Sequence, residues 1–342
     1  MSNGQEHAQH AKSAEHAEAS TIKKGDAEGT LSQQYGGTHS GGWVNLLPAS
    51  WVPYVQLARL SPPAALFLIY FPHVFGILHA ANVHQRPPIE VVRTAALLLG
   101  GSFFFSNAAH AWNDLVDAPI DKQVSRTRKR PIPRGDISWR QALVFTAVQA
   151  IGAASFLLFF PPATAIVTIP TIVGTTYYPW AKRHTYFPQV VLGFCLSWGI
   201  MVGSSATGIE KPWADPAALS LLLASILWTM IYDTIYAYQD IEDDVKIGVR
   251  STAVLFGSYT KCLLWVLISL LGACLLLYGE MAQMGATYYV VTIGGCLSSL
   301  SAMVANVELK NDASCWWWFS CGFWFTGISI TVGLLAGYLG SY

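Results

Sequence analysis

Nine long apolar stretches, separated by short polar segments, restrict this chain more than any other feature of its sequence. Each is close to the length of about 20 residues that a helix needs to cross the hydrocarbon core of a bilayer. The stretches are 64–82, 91–112, 141–160, 163–180, 188–206, 216–238, 260–279, 285–305 and 316–338. With 53% hydrophobic residues and a mean hydropathy of +0.39, the chain is too apolar for a water-soluble domain of 342 residues. Because helices satisfy their own backbone hydrogen bonds inside lipid, we predict an all-α integral membrane protein, a bundle of nine transmembrane helices.

The N-terminal segment differs in composition from the rest of the chain. Residues 1–42 are polar, rich in His, Gly, Ser, Ala and Glu, and contain no apolar run, so we predict a disordered tail. Residues 43–342 are predicted to form the transmembrane domain. The tail has no Arg and several acidic residues, and it lacks the apolar centre of a secretory signal. This composition is not typical of a mitochondrial transit peptide.

A cluster of charges follows the second apolar stretch, where the sequence reads NDLVDAPIDKQVSRTRKRPIP. Asn113, Asp117 and Asp121 are spaced four apart, so on a helix they share one face, with Asp114 about a quarter turn away. Such hard oxygens suit Mg2+, and the Arg and Lys residues that follow suit a phosphate group. Pro119 lies within the run and predicts a kink or break, which would place Asp121 on a loop.

The segment after the sixth apolar stretch repeats this order of acids followed by bases. It reads YDTIYAYQDIEDDVKIGVRS, in which Asp233, Asp240 and Asp244 are seven and four apart on one predicted helical face, with Asp243 beside it. For one cluster alone, a solvated membrane loop is the simpler interpretation. The repetition favours two acid clusters that converge on two metal ions and one diphosphate.

The two acidic motifs resemble those of a known family. NDxxDxxxD, from Asn113 to Asp121, and DxxxD, from Asp240 to Asp244, are similar to the motifs of the UbiA family of intramembrane aromatic prenyltransferases. The segments RTRKRPIPRGDIS and YPWAKRHTYFPQVVLG, and YDTIYAYQDIEDDVKIGVRSTAVLFG nearly throughout, resemble the same family in the same order. The branch that the chain resembles most is that of 4-hydroxybenzoate polyprenyltransferase.

The resemblance implies roles for particular residues. The expected metal ligands are Asn113, Asp114, Asp117, Asp121, Asp240, Asp243 and Asp244. Of these, the expected catalytic residues are Asp117, Asp121, Asp240 and Asp244. The candidate diphosphate contacts are Arg126, Arg130, Lys182, Arg183 and Lys246, each with the alternative interpretation of a plain cytosolic charge. Arg59 is the candidate for the carboxylate of an aromatic acceptor.

The reaction that the resemblance implies is Mg2+-dependent prenyl transfer to a phenol ring. Metal and cations stabilise the leaving diphosphate, and the electron-rich ring attacks the allylic cation. Such a cation must be kept from water, which accounts for a cavity inside the membrane. Aromatic faces can stabilise a cation, although the same residues can simply pack in a core. The candidates for the cavity lining are Tyr177, Tyr178, Trp198, Tyr232 and Tyr236.

Lys and Arg residues are concentrated in the loops on one side of the predicted bundle. That side carries the N-terminal segment and the loops after the second, fourth, sixth and eighth spans, which include both acid clusters. The other side carries only Arg86, Arg93 and Lys211. By the positive-inside rule, we predict that the tail and the active site face the cytosol.

Two pathways fit a member of this family. The chain is also similar to the UbiA-like enzymes of fungal meroterpenoid pathways, which attach a farnesyl group to polyketide-derived phenolic acids. We predict farnesyl diphosphate and a phenolic acid as substrates, in the endoplasmic reticulum or another endomembrane. The alternative is 4-hydroxybenzoate prenylation for ubiquinone in the mitochondrial inner membrane.

Two other classes of protein stay open from the sequence. A membrane transporter with an intramembrane acidic site predicts isolated acids in the middle of spans, whereas these acids lie at span ends beside Arg and Lys. A scaffold that kept the fold without activity would not need both acidic motifs complete. The formal net charge of +0 gives no indication of a nucleic-acid partner.

Overall fold

The computed structural model describes Tyr35 and residues 42–341, and the regular elements in this part of the chain are helices. Apart from Tyr35 and Gly42, the predicted disordered tail lies outside the described residues. The α-helices are α1 (Val52–Leu57), α2 (Ala64–His84), α3 (Pro88–Asp121), α4 (Pro131–Arg134), α5 (Trp139–Phe156), α6 (Pro162–His184), α7 (Pro188–Ser197), α8 (Gly199–Ala206), α9 (Pro216–Ala237), α10 (Ile241–Ile247), α11 (Thr252–Phe256), α12 (Thr260–Met281), α13 (Ala286–Tyr288), α14 (Gly295–Asn306), α15 (Asp312–Trp317) and α16 (Phe323–Ser341).

In the described part of the chain, eight helical stretches are long and apolar enough to cross a membrane. They are Ala64–His84, Pro88–Asp121, Trp139–Phe159, Pro188–Ala206, Pro216–Ile247, Thr252–Met281, Ala286–Asn306 and Asp312–Gly340. This result confirms an all-helical chain with several candidate spans. The remaining predicted stretch, 163–180, forms the 23-residue helix α6 but is not among the eight. Its Thr, Pro and Gly residues reduce its hydropathy, so the predicted number of nine is not confirmed.

Helix α2 lies at the centre of the bundle and α5 at its periphery. The apolar window of α2 is 83% buried inside the protein, against 6% for the stretch that contains α5. Helices α2 and α8 touch through their backbones. A Cβ atom at Gly76 would lie 2.0 Å from the carbonyl oxygen of Ile200, and one at Gly203 would lie 2.2 Å from that of His73. Only glycine permits this approach, which is a common way for membrane helices to pack.

The first acid cluster lies at the C-terminal end of the longest helix. Helix α3 has 34 residues and is therefore about 51 Å long, well over the hydrocarbon thickness of about 30 Å. The predicted break at Pro119, with Asp121 on a loop, is wrong, because the helix continues to Asp121. Pro119 lies in the last turn, where its missing N–H removes one backbone hydrogen bond without interrupting a longer helix. Asn113, Asp117 and Asp121 therefore share a helical face, as their spacing predicts.

The second acid cluster is not carried by one continuous helix. Helix α9 ends at Ala237, a 3-10 turn occupies Tyr238–Asp240, and α10 begins at Ile241. The expectation that the three acids of this cluster lie on one regular helix is therefore wrong. Helix α10 ends at Ile247, and Gly248 caps it. The φ of 78° at Gly248 is the left-handed conformation that favours glycine at this position. The turn and α10 bring the second cluster beside the loop that follows α3.

Candidate active site

A cavity of about 200 Å³ lies where the C-terminal ends of α3, α6 and α9 meet. Residues of both acid clusters line it, so the two clusters do converge. The carboxylates of its wall are Asp121, Asp233, Asp240 and Asp244. The cations that line it include Arg59, Arg126, Arg130 and Lys182. Acids and bases from distant parts of the sequence thus share one space.

Arg126 joins the two clusters directly. Its Nε atom donates to Asp240 Oδ1 at 2.8 Å, and its Nη2 atom donates to Asp240 Oδ2 at 2.5 Å. Its Nη1 atom donates to the Tyr236 hydroxyl at 3.0 Å, and the guanidinium lies 5.0 Å from the centre of that ring. Burial disfavours the charged form, but the Asp240 carboxylate raises the pKa of Arg126 well above its ordinary value. The result is a bidentate ion pair, the strong geometry for Arg and carboxylate.

Arg130 connects two acids of the first cluster. Its Nη1 atom donates to Asp114 Oδ1 at 3.1 Å and to Asp121 Oδ2 at 3.0 Å. Arg59 donates to the same Asp114 oxygen at 2.8 Å. Burial disfavours the charged form of Arg130, but Asp114 and Asp121 together raise its pKa above the ordinary value. Arg126 and Arg130 are therefore fixed cations at the wall of the cavity.

Asp117 and Asn113 have oxygen atoms whose polar requirements are not met. The Asp117 side chain is 0% exposed, and Lys182 Nζ lies 2.5 Å from its Oδ2 atom as an ion pair. Within the described part of the chain, neither Asp117 oxygen accepts a hydrogen bond of normal geometry, and Asn113 Oδ1 is also buried without a donor. Buried polar atoms in proteins rarely stay without a partner. Since Lys182 already pairs with Asp117 Oδ2, Asp117 Oδ1 and Asn113 Oδ1 are the oxygens where a bound cation would supply the missing interactions.

The donor set fits Mg2+, although the acids do not form a closed cage. Among the described residues, no group of three or more His, Cys, Asp and Glu side chains is placed to hold a metal ion by itself. The carboxylates of Asp240, Asp121 and Asp117 are instead paired with Arg126, Arg130 and Lys182. Mg2+ sites commonly use only one or two carboxylates, with substrate phosphates and water as the other ligands. The hard oxygens of Asn113 and the cavity carboxylates meet that requirement.

Three of the predicted metal ligands do not line the cavity, namely Asp114, Asp117 and Asp243. Asp117 is fully buried and pairs with Lys182, which does line it. Asp114 is buried between Arg59 and Arg130, and its Oδ1 atom already accepts from both. Asp243 accepts from the backbone N–H of Ser125 at 2.7 Å, so it ties α10 to the loop after α3. In this arrangement Asp114 and Asp243 hold the framework of the site.

Two of the predicted diphosphate contacts also lie outside the wall. Lys246 has a largely exposed side chain and lies 3.6 Å from Asp243. Arg183 donates to the carbonyl oxygen of Val116 at 2.9 Å and lies 3.8 Å from Asp117 Oδ1. Arg126, Arg130 and Lys182 are the candidates that the structure places in the cavity.

A second cavity, of about 320 Å³, lies between α3, α5 and α6. Phe105, Ala109 and Thr175 line both cavities, so the two are adjacent. Among the described residues that line the second cavity there is no Asp, Glu, Lys or Arg. Small side chains such as Gly101 and Ala153 form much of its wall. A charged cavity thus continues into an apolar one.

Three of the five aromatic candidates line the charged cavity, namely Tyr178, Tyr232 and Tyr236. The other two are engaged elsewhere. The Tyr177 hydroxyl contacts the ring of His184 at the surface. Trp198 donates from its Nε1 atom to the carbonyl oxygen of Val167 at 2.7 Å, which is a packing role.

Several polar residues of the wall have no site role in the sequence-based assignment, among them Tyr35, Gln189 and Asp233. Asp233 is the first acid of the second charged segment, and Gln189 lies in a segment that resembles the family. The sequence therefore contains a pattern that could have marked both residues as part of the site. Tyr35 has no such pattern, because it belongs to the polar tail. Its backbone oxygen accepts from Arg130 Nε at 3.1 Å, and its hydroxyl donates to the carbonyl oxygen of Pro62.

Comparisons with known proteins show which family the chain is similar to. Residues 69–328 match the sequence profile of the UbiA prenyltransferase family. The chain is 35% identical over 277 residues to the mitochondrial 4-hydroxybenzoate polyprenyltransferase of Schizosaccharomyces pombe, covering 81% of this chain and 77% of that one. It is 33% identical over 309 residues to the prenyltransferase stbC of Stachybotrys bisbyi, covering 89% of this chain and 91% of that one.

A solved structure shows the same fold. It is that of a UbiA homologue from Archaeoglobus fulgidus bound to DMAPP and Mg2+, and the TM-score is 0.61. The match covers 84% of this chain and 98% of that one, with 15% sequence identity. At this identity the likeness concerns the fold alone.

Proposed function

The chain belongs to the UbiA prenyltransferase family, and from this premise we propose that it transfers a prenyl group from an allylic diphosphate to the ring of a phenolic acid. The observation that carries the proposal is the pair of adjacent cavities. One has acids and bases for a metal-bound diphosphate, and the other is apolar and suits a prenyl chain. Membership in a family of prenyltransferases also decides against the transporter alternative.

In this proposal Mg2+ is held by oxygens from both acid clusters. Asn113, Asp117 and Asp121 supply the first set, and Asp240 and Asp244 supply the second. When bound, Mg2+ neutralises part of the charge of the diphosphate and so assists its departure. The solved relative from Archaeoglobus fulgidus, which is bound to DMAPP and Mg2+, supports this choice of metal.

The cations of the wall have a second partner available in the substrate. Arg126, Arg130 and Lys182 pair with Asp240, Asp121 and Asp117. A diphosphate is the bidentate anion that Arg binds well, so these side chains exchange a carboxylate for phosphate oxygens as the substrate enters. They then stabilise the charge that develops on the leaving group.

The acceptor lies beside Arg59 in this proposal. Arg59 lines the cavity, and its Nε atom is buried without a hydrogen-bond partner among the described residues. The carboxylate of a phenolic acid would supply that partner. The aromatic ring would then lie within the cavity wall of Tyr178, Tyr232 and Tyr236, where the allylic cation is kept from water.

We also propose that α6 is a ninth crossing. Helix α5 ends with Phe156 against Gly100 and Gly101 of α3, and α6 runs back until Lys182 meets Asp117. With 23 residues α6 is about 35 Å long, which exceeds the hydrocarbon thickness of about 30 Å. Nine crossings place both acid clusters on one side, and the loop charges favour the cytosol for that side.

The donor in this proposal is farnesyl diphosphate, the acceptor is a polyketide-derived phenolic acid, and the pathway is meroterpenoid biosynthesis. The similarity to a Stachybotrys bisbyi prenyltransferase over nearly the full length of both chains is compatible with this assignment. The second candidate is 4-hydroxybenzoate prenylation for ubiquinone. It is favoured by the similarity to the mitochondrial enzyme of Schizosaccharomyces pombe.

The test uses microsomes that contain the full chain. They are incubated with Mg2+, one of several prenyl diphosphates from geranyl to long-chain, and one of several phenolic acids, and the products are identified by mass spectrometry. We expect a C-prenylated phenolic acid, with the highest yield from farnesyl diphosphate. A panel that gives no prenylated product with any pair of substrates would overturn the proposal.

A further inference from the structure

Asp233 is a cavity carboxylate that the arrangement of metal and diphosphate leaves unused. It lies on α9, seven residues before Asp240, which corresponds to about 10 Å deeper along the helix axis. It shares the wall with Tyr178, Tyr232 and Gln189. Its position is therefore on the side of the cavity where a ring, and not a diphosphate, would lie.

Asp233 differs from Asp121 and Asp240 of the same wall in its partners. Asp121 and Asp240 are held by arginines, and Asp244 belongs to the proposed metal set. No ion pair joins Asp233 to any residue that the structure describes, although Lys182 and Arg59 line the same cavity. A carboxylate without a fixed cation keeps its capacity to accept a proton.

Ring prenylation requires such a proton acceptor. The new carbon–carbon bond leaves the attacked ring carbon with both its hydrogen and the prenyl group, and the aromatic ring is restored only when that proton leaves. Arg and Lys cations cannot accept it. His110 also lines the cavity, and because its Nδ1 atom donates to the Ser106 carbonyl oxygen, its Nε2 atom is the one that could accept a proton. The cations Arg59 and Arg130 of the same wall oppose the positive charge that the ring would then gain.

We propose that Asp233 is the general base of the transfer, an inference that rests on the proposed function. The bond between the allylic carbon and the diphosphate oxygen breaks, and the diphosphate leaves with the electron pair. A ring carbon then bonds to the allylic carbon, and the proton of that ring carbon passes to the Asp233 carboxylate. The acid that forms returns its proton to water when the product leaves.

The test compares Asp233→Asn with Asp233→Glu in the full chain in membranes. The matched control is Glu242→Gln, the same change of carboxylate to amide on an exposed side chain of α10. Diphosphate release and prenylated product are measured separately, with ordinary acceptor and with acceptor deuterated on the ring. Folding is monitored by size-exclusion chromatography in detergent.

We expect Asp233→Asn to reduce product formation by about a hundredfold or more, because a positioned base contributes at least that much. Diphosphate release should fall less than product, since ionisation does not need the base, and ring deuteration should slow the variant more than the wild type. Asp233→Glu should restore part of the coupling between diphosphate release and product formation. Glu242→Gln should behave as wild type.

Two results would overturn the inference alone. One is product formation by Asp233→Asn at the wild-type rate. The other is an equal loss of diphosphate release and product without an isotope effect, which would indicate a structural role. A wild-type protein that forms no product from any substrate pair would instead overturn the proposed function, and the base assignment with it.

Discussion

Acids in or beside the charged cavity can interact with their own counter-ions or with a bound metal ion. Asp117 pairs with Lys182, and Asp240 pairs with Arg126. Replacing either acid by Asn keeps the size of the side chain but removes its charge. The neighbouring cation then stays without its carboxylate, and a metal ion loses a ligand.

We therefore expect Asp117→Asn and Asp240→Asn each to reduce turnover by about a hundredfold or more. EDTA should abolish the wild-type activity, and Mg2+ should restore it. Asp136→Asn is the control, because Asp136 pairs with Arg134 away from the cavity. The assay is prenylated product per amount of membrane-inserted protein, and near-normal turnover in either cluster variant would rule out the two-cluster site.

Among single residues, the sequence predicts that the two acid clusters converge, but not how each acid and base is used. The spacing of Asn113, Asp117 and Asp121 is enough to place them on one face. The partners of Asp114 and Asp243 cannot be predicted, because they depend on where the loop after α3 folds back. The contacts of Tyr35 are equally hidden, since a polar tail gives no pattern that indicates packing.

Helices set the shape of the apolar cavity. Its wall combines small residues of α3 and α5, and α5 otherwise faces outward. Ala153 lines the cavity, whereas Ala147 is exposed on the same helix. The same enlargement of an alanine side chain can therefore be made at one position inside the cavity and at one outside it.

We expect Ala153→Phe to shift the preferred donor toward a shorter prenyl diphosphate. The added ring occupies space that the chain would otherwise fill, and overpacking costs about 1–3 kcal/mol. Ala147→Phe should leave the preference unchanged. The measurement is the ratio of kcat/KM for geranyl and farnesyl diphosphate, and an unchanged ratio in Ala153→Phe would show that the chain lies elsewhere.

The start of α9 carries a helix cap that is also hydrogen-bonded to a histidine, far from the acid clusters along that helix. Asp215 caps α9 by accepting from the backbone N–H of Ala217 at 2.8 Å, and His79 lies 2.9 Å from its other oxygen. The hydrogen bond with His79 holds the pKa of Asp215 below its ordinary value. A lowered pKa contributes stability above the ordinary pKa, and that contribution is lost as the pH falls through the lowered value.

We expect Asp215→Ala to reduce stability by about 1 kcal/mol at neutral pH, mainly through the lost cap. The difference from wild type should shrink in acid, because the wild-type carboxylate is then protonated. Thermal unfolding in detergent at several pH values measures this difference in stability. A difference that stays constant down to the lowest pH would mean that the charge of Asp215 makes no contribution.

For helices as whole elements, apolar length is a good predictor of position and local sequence is a poor predictor of breaks. Eight of the predicted stretches coincide with the observed ones or fall inside them to within one residue, because a bilayer demands long apolar runs. Two breaks are misjudged. The last turn of α3 tolerates Pro119, and the 3-10 turn Tyr238–Asp240 lies where Asp240 pairs with the distant Arg126.

The whole molecule presents its loops to two sides of a membrane. In the proposed arrangement, the loop after α3 and the loop that contains Lys211 lie on opposite sides. A glycosylation acceptor inserted beside Lys129 should stay unmodified when the chain is made in the endoplasmic reticulum. One inserted beside Lys211 should be modified. The reverse pattern, read as a mass shift on a gel, would contradict the cytosolic placement of the active site.

The location of the whole protein separates the two candidate pathways. An enzyme of secondary metabolism is expected in an endomembrane, whereas an enzyme of ubiquinone synthesis must meet its long-chain donor in the mitochondrion. Under the proposed function, we expect a C-terminal fluorescent fusion to label the endoplasmic reticulum, and we expect the chain not to restore respiratory growth of a ubiquinone-deficient yeast. The yeast's own 4-hydroxybenzoate enzyme, expressed from the same vector, is the positive control. Mitochondrial labelling together with full rescue would reject the secondary-metabolism assignment while leaving the prenyl-transfer chemistry of the cavity intact.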